Sequence, residues 1–351
     1  MERDDLATIY DVADRAGVSI KTVSRVMNVE PNVRAEMRER VLAAAAALDY
    51  HPNLSARSLA GARSFLIAAF VDATLTLQHW RNERGTDYLA RIQLGATLPC
   101  RAAGFHLLIE LVDNEAASMR QDVRNVLAAL KPDGVILTPP SSDNAALLGI
   151  LRQAGTPFVR LGAEVAAGGG LRLSLDDRAA ARGMTEFLLD LGHRRIGFIG
   201  GAQNYGSSTS RREGFLQAMQ ARGLFTPWMQ GGDFTYASGM HAAKALLARD
   251  ERPTAIFASN DDMALGCMAV ADEMGLRVPQ DLSVAGFDDS TGSRFSRPRL
   301  TTLRQPITEM AALAAEKLIS AAVLADCDED GGADLPRFTL VPGLSTAAPE
   351  Q

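Results

Sequence analysis

Four polar clusters in this sequence hold side chains suited to binding chemistry. Ser207 and Arg211 follow the apolar run "IGFIGG", and Phe234 and Tyr236 lie in "GDFTYASG". Asn260 and Asp261 follow "AIFAS", and Asp288 and Asp289 follow "LSVAGF". Carboxylates and amides take paired hydroxyls, and an aromatic ring takes the flat apolar side of a sugar ring. The set therefore suits a polyol. Plainer roles compete at single positions. Asp261 is expected to cap the helix "DMALGCMAVADEM" rather than touch a ligand, whereas for Asp289, and less so for Asp288, capping the loop that follows is only the alternative to a ligand role. Arg212 suits a surface or lobe–lobe position, and Tyr236 suits plain packing. No nucleophile–base pair and no metal cluster accompanies them. "IGGAQNYG" lacks the spacing of a dinucleotide loop, so no nucleotide cofactor is expected.

Regular elements must bring these clusters together. From Phe65 onward, strand-like runs ("FLIAAFV", "HLLIELV", "GVILTPP", "PFVRLG", "IGFIGG", "AIFAS", "LSVAGFDD") alternate with helical segments. Such alternation predicts parallel sheets in an α/β fold. The stretch is too long for one mononucleotide-type half and suits two similar lobes. Ligands in such folds bind beyond the carboxyl ends of the strands, between the lobes. The core is assigned to residues 64–351, with one lobe over about 64–165 and 305–327 and the other over about 166–290 and 335–351. The acidic "CDEDGGAD", residues 327–334, reads as a solvated crossover between lobes, because its carboxylate spacing does not fit a calcium loop.

A chain of 351 residues exceeds one ordinary core and suggests two or three domains. Its net charge of −6 excludes a general polyanion binder, so any nucleic-acid contact must be local. From Leu6 to Arg63 there are eight Lys/Arg against six Asp/Glu, so placement matters more than sign. The three cysteines, Cys100, Cys267 and Cys327, have no metal-ligand spacing and read as buried thiols. Glu2, Asp4 and Asp5 stand where a signal peptide would be basic, and no apolar run is long enough to cross a bilayer. A cytoplasmic protein is expected.

The first 63 residues have a different pattern. Thr8 with Asp11 resembles a capping box. Ile9, Val12, Ala13 and Ala16 share a helical face, and Gly17 can end that helix in the left-handed conformation. Ser19 caps a second helix whose inner stripe is Val23, Val26 and Met27. Two short helices about a glycine turn make a helix-turn-helix. A third, from about Val33 to Leu48, would close the core with Met37, Val41, Ala44 and Leu48. In such a unit the second helix enters the major groove. Lys21 and Arg25 can donate to guanine edges or phosphates, and Ile20 offers apolar contact to a thymine methyl. Ser19, Thr22 and Ser24 can contact phosphates. Then Pro52 blocks helix continuation and Asn53 can cap a two-turn helix reaching Gly61, too short to stand alone. Its apolar side, Leu54, Ala56, Leu59 and Ala60, would pair with a second copy and wedge a minor groove open.

"TIYDVADRAGVSIKTVSRVMN", "VRAEMRERVLAAAAALDYHPN" and "ARSLAG" together resemble the DNA-binding and hinge segments of the LacI/GalR family of bacterial transcription regulators. The resemblance implies a helix-turn-helix domain over 1–52 and a hinge helix and linker over 53–63, with Leu59 as the intercalating leucine. It places Ile20, Lys21 and Arg25 on the base-reading positions and adds Thr8, Asn28, Asn53, Ala56 and Ala60 to the DNA-contacting set. "SRREGF", "GDFTYASG", "SNDDMALGCMAVADEMGLRVPQDLSVAGFDDS" and "PRLTTLRQPI" resemble the family's effector core, which is akin to periplasmic sugar-binding proteins. By that resemblance Ser207, Arg211, Phe234, Asn260, Asp288 and Gln305 match effector-contacting positions, with Asp72 a weaker candidate. The chain departs from the family in two places. "TLTLQHWRNERGTDYL", residues 74–89, is longer and more polar than usual, and is either a lid carrying Trp80 or Tyr88 or a disordered insertion. The tail "GLSTAAPEQ" lacks leucine heptads, so a homodimer is expected rather than a coiled-coil tetramer.

The resemblance implies a sequence-specific repressor of sugar uptake and catabolism genes, released from a near-palindromic operator by a sugar or glycoside. The alternative within the family is a corepressor-type regulator whose purine, amino-acid or phosphorylated-sugar ligand strengthens DNA binding. A periplasmic carrier is disfavoured by the first 63 residues, and an enzyme by the missing reactive constellation. Leu59→Ala is expected to lower operator affinity sharply and leave effector binding intact. Fluorescence anisotropy on an operator duplex measures the first, and calorimetric ligand titration the second.

Overall fold

The computed structural model describes residues 7–27, 33–50, 63–321, 323, 328–331, 335 and 337–350. The chain divides into two compact units, an N-terminal helical unit and an α/β core from Ile67.

The helical unit has α1 (Ile9–Ala16), α2 (Ile20–Met27) and α3 (Ala35–Ala47). The capping box forms as read. The Asp11 amide donates to the Thr8 hydroxyl, and the Thr8 amide donates to the Asp11 carboxylate at 2.7 Å. Gly17 ends α1 with φ of 59°, a conformation costly for any residue with a Cβ. The Ser19 hydroxyl accepts the Thr22 amide at 3.2 Å and so starts α2. Val12, Ala13, Ala16, Val23, Val26, Val41, Ala44 and Ala45 are buried together. Met37 does not close this core; it lies 36% exposed, and Ala45 stands in its place. The sequence reading also passed over Arg40, whose guanidinium donates to the Ala16 carbonyl and ties α3 to the end of α1.

The core has two lobes. In the first, β1 (Leu66–Asp72), β2 (His106–Val112), β3 (Gly134–Leu137), β4 (Phe158–Leu161), β5 (Gly170–Leu173) and β11 (Asp328–Asp330) form one sheet in the order β11-β5-β4-β3-β1-β2. Its helices are α4 (Ala73–Asn82), α5 (Asp87–Ala102), α6 (Met119–Leu130), α7 (Ala145–Gln153) and, after a return of the chain, α13 (Ile307–Ile319), which packs on α5. In the second lobe, β6 (Ile196–Gly200), β7 (Met229–Gly231), β8 (Ala255–Ala258) and β9 (Ser283–Ala285) form a parallel sheet in the order β7-β6-β8-β9. With them go α8 (Asp177–Asp190), α9 (Gly206–Ala221), α10 (Tyr236–Leu247), α11 (Asp261–Glu273) and the short α12 (Thr291–Phe295). β10 (Thr302–Arg304) and β12 (Thr339–Val341) form an antiparallel pair beside it.

Two expected boundaries move. β5 belongs to the first sheet, paired with β4, so the first crossing comes after Leu173 rather than at residue 165. "CDEDGGAD" is not only a crossover, because Asp328–Asp330 pairs in parallel with β5 as an edge strand. The Asp328 carboxylate accepts the amides of Gly168 and Gly169, and Arg172 pairs with Asp330. Strand pairing overrides the acidic composition here, because an edge strand exposes its side chains to water.

Gly239 sets how closely α10 packs on α11. A Cβ there would come within 2.4 Å of the Met263 backbone. Backbone does not yield as a flexible side chain does, so overpacking of this kind costs about 1–3 kcal/mol. Gly239→Ala is expected to lower core stability by that amount, read as a lower urea midpoint with an unchanged slope.

Candidate functional site

A cavity of about 150 Å³ opens between the two lobes, a volume that takes a single six-membered ring. All seven residues assigned to effector contact in the sequence line it: Asp72, Ser207, Arg211, Phe234, Asn260, Asp288 and Gln305. Each follows a strand end or starts a helix, which brings distant segments to one place. Ser207 and Arg211 stand in the opening turns of α9, which starts at Gly206. Tyr205 occupies the cap position and offers no capping side chain.

Several of these residues also hold the structure. The Asp72 carboxylate accepts the Leu75 amide at 2.8 Å and caps α4. Asn260, not Asp261, caps α11: its Oδ1 accepts the Met263 amide at 3.0 Å, and its Nδ2 donates to the Phe234 carbonyl at 2.9 Å. The second amide hydrogen stays available for a ligand. Asp261 is instead fully buried and accepts the Ser290 amide and the Thr302 hydroxyl. Arg211 donates to the Asp177 carboxylate at 2.7 Å and to the Ser259 carbonyl at 2.6 Å, with its guanidinium 3.6 Å over the Phe287 ring. The Gln305 amide donates to Asp288. Asp289 is a structural anchor, its buried carboxylate paired with Arg294 and Arg304 at 2.8 and 2.7 Å. Burial works against its charge, yet these two arginines hold its pKa below the usual value.

The segment 74–89 resolves to helix. It supplies α4, a turn through Gly85 and the start of α5, so the insertion alternative is corrected. The segment reaches from the first lobe to the second. Arg84 lies 4.2 Å over the Tyr236 ring, and that tyrosine is not among the residues lining the cavity. Asp87 accepts the Thr291 hydroxyl at 2.6 Å and pairs with Arg91 at 2.8 Å. Arg91 donates to the carbonyls of Asp288 and Asp289. Thr76, His79, Trp80 and Tyr88 face the cavity from this segment, and Tyr205 and Phe234, whose rings meet edge to face at 5.3 Å, face it from the other lobe.

The ionisable groups of the cavity are poorly solvated. Burial pushes the Asp288 carboxyl well up, against the pull of Arg211, and pushes Asp177 up against the same arginine. Burial also raises the hydroxyls of Tyr88, beside Asp288, and Tyr205, beside Asp72. It lowers the His79 imidazole, with Asp233 opposing. Asp262 is pushed up to about 6 by burial and by Asp87. Asp177, Asp262, Arg91, Tyr88 and Tyr205 are thus cavity residues beyond the assigned seven. "SNDD", with two acids behind a strand, was the signal for Asp262.

In the helical unit, Ser19, Ile20 and Lys21 are exposed on α2, and Thr22, Ser24 and Arg25 are half-buried. The Ser19 and Thr22 hydroxyls hydrogen-bond each other at 2.9 Å. The Thr8 hydroxyl donates to Asp11. Asn28, Asn53, Ala56, Leu59 and Ala60 lie outside the described residues. Among the described residues no cluster of His, Cys, Asp and Glu is arranged to hold a metal, and no helix is long and apolar enough to cross a membrane.

Residues 8–53 match the family described as bacterial regulatory proteins, lacI family, and residues 185–346 match the periplasmic binding protein-like domain. The chain is 31% identical to the probable HTH-type transcriptional repressor ExuR of Bacillus subtilis (strain 168) over 319 residues, 90% of this chain and 91% of that one. The chain belongs to the LacI family. It is also 34% identical to the HTH-type transcriptional repressor PurR of Erwinia tasmaniensis over 304 residues, 86% of each chain. The fold matches the lac repressor dimer bound to operator and the anti-inducer ONPF, with a TM-score of 0.78 at 29% identity over 97% of this chain and 99% of that one. It is a DNA-binding transcriptional repressor of this family, and its relatives are repressors rather than enzymes.

Asp262 gives the cleft a measurable pH signature. In the unfolded chain it ionises around its ordinary value of 3.8, and in the cleft only around 6. Its charge therefore opposes folding fully above pH 6, and that opposition is relieved as pH falls from 6 to 3.8. Asp262→Asn is expected to raise the melting temperature near pH 7.5, with the gain fading through that window and absent below 3.8. Calorimetric scans of both proteins across pH measure it.

Proposed function

We propose that this chain is a homodimeric repressor of sugar uptake and catabolism genes, released from its operator when a sugar or glycoside binds between the lobes. The ring-sized cavity carries this reading. Amide, carboxyl and hydroxyl groups from both lobes meet there beside Phe234, Tyr205, Tyr88 and Trp80. Aromatic faces suit the apolar side of a pyranose, and paired acceptors suit its hydroxyls.

Exposed Ile20 and Lys21, with Arg25 one turn on, would read base edges, while Ser19, Thr22 and Ser24 would fix register on phosphates. A dimer would place two such helices on half-sites one helical turn apart. A ligand shifts this equilibrium only if it prefers one lobe arrangement. The contacts of Arg84, Asp87 and Arg91 across the lobes offer it that difference.

The second reading is a corepressor whose purine, amino-acid or phosphorylated-sugar ligand strengthens DNA binding; the similarity to PurR supports it. One titration separates the two. With a labelled palindrome from the gene's own upstream region at fixed salt, a monosaccharide that lowers anisotropy supports induction. A purine, amino acid or sugar phosphate that raises it, with every sugar silent, replaces the first reading by the second.

A further inference from the structure

Acidic groups outnumber basic ones on the cleft walls. Five carboxyl groups line the cavity, from Asp72, Asp87, Asp177, Asp262 and Asp288, against two guanidinium groups, from Arg91 and Arg211. Both arginines are matched within the protein, Arg91 by Asp87 at 2.8 Å and Arg211 by Asp177 at 2.7 Å. His79 adds no cation, because burial favours its neutral ring. Asp72, Asp262 and Asp288 are left without an ion pair among the described residues. Asp72 caps α4, and Asp288 takes the Gln305 amide. Asp262 differs from both. It stands in the first turn of α11 on the cavity wall and has neither a hydrogen bond nor an ion pair among the described residues.

An acid in the first turn of a helix often does no more than complement the helix dipole. That role would ease its ionisation, as the nearby charge of Arg84 does, whereas burial and Asp87, the larger influences, hinder it here. A half-buried carboxylate with unused lone pairs needs a donor, and a hydroxyl or ammonium group supplies one. A second carboxylate or a phosphate supplies none and adds like charge where water screens little.

We infer that the cleft selects its ligand by charge: it accepts a single-ring sugar that is uncharged or carries an amine, rejects the same ring as a uronate or phosphate ester, and uses Asp262 as the discriminating residue. The inference rests on the sugar-effector reading above. It also separates this chain from any ligand guess based on the names of its relatives.

The test is calorimetric titration of the full-length protein near pH 7.5, where Asp262 is charged. The ligands are glucose, galactose and mannose, each also as its uronate, its 6-phosphate and its 2-amino sugar. The best neutral or amino ring is expected to bind at least about tenfold more tightly than its own uronate and 6-phosphate, since like-charge contact is strongly disfavoured. In Asp262→Asn the gap between the neutral ring and its charged forms is expected to close to within about threefold. A uronate or phosphate that binds as tightly as its neutral parent overturns the charge rule and leaves the sugar reading standing. A gap unchanged in Asp262→Asn overturns the role of Asp262. Binding of a purine with no response to any sugar form overturns the sugar reading and the charge rule together.

Discussion

Arg91 holds the loop on which the cleft depends. Its guanidinium leaves α5 in the first lobe and takes the carbonyls of Asp288 and Asp289 in the second. Both aspartates have positive φ, 125° and 54°, a backbone state that must be held from outside. Arg91 holds it from one side, and Arg294 and Arg304 hold the Asp289 carboxylate from the other. Hydrogen bonds to a charged donor are each worth about 1.5–3 kcal/mol. Arg91 thus ties the first lobe to the backbone that carries the Asp288 side chain, whose carboxyl Gln305 holds in turn.

Much of the architecture was legible because it follows simple periodicity. The valine and alanine stripes of α1 and α2, the Thr8–Asp11 cap and Gly17 are local signals, and the local backbone obeys them. The strand-like runs likewise pointed to two lobes, and the resemblance to the family, rather than periodicity, supplied the seven cavity residues. Local rules failed where tertiary contacts decide. Met37 fits the helical stripe but lies on the outer side of α3, and the exposed Arg40 ties α3 to the end of α1. β5 and β11 join the first sheet by pairing, which no single segment announces. Asp261 was the expected cap, and only the fold decides that the neighbouring Asn260 amide caps while the acid is buried against Ser290 and Thr302.

The cleft illustrates how one side chain serves two purposes. Asp72, Asn260 and Arg211 each satisfy protein groups while presenting the remainder of their hydrogen-bonding capacity to the cavity. Such bonds lock rotamers before any ligand arrives, so less freedom is lost on binding. The segment from Ala73 to Arg91 adds a component that acts across the lobes. It is anchored at one end by the Asp72 cap and at the other by the Arg91 contacts, and it carries Trp80 and Tyr88 between them.

The threading of the chain has a further consequence. The first sheet is completed by Asp328–Asp330, after every strand of the second sheet has been laid down, and β12 then returns to pair with β10. No single cut yields either lobe as a continuous piece. The helical reader is the opposite case: α1, α2 and α3 share a core drawn from one unbroken stretch. Recombination can therefore exchange readers between proteins of this build at one junction, keeping the ligand response and rewriting the DNA address. Exchanging one lobe alone needs a junction at each of the three crossings of the chain.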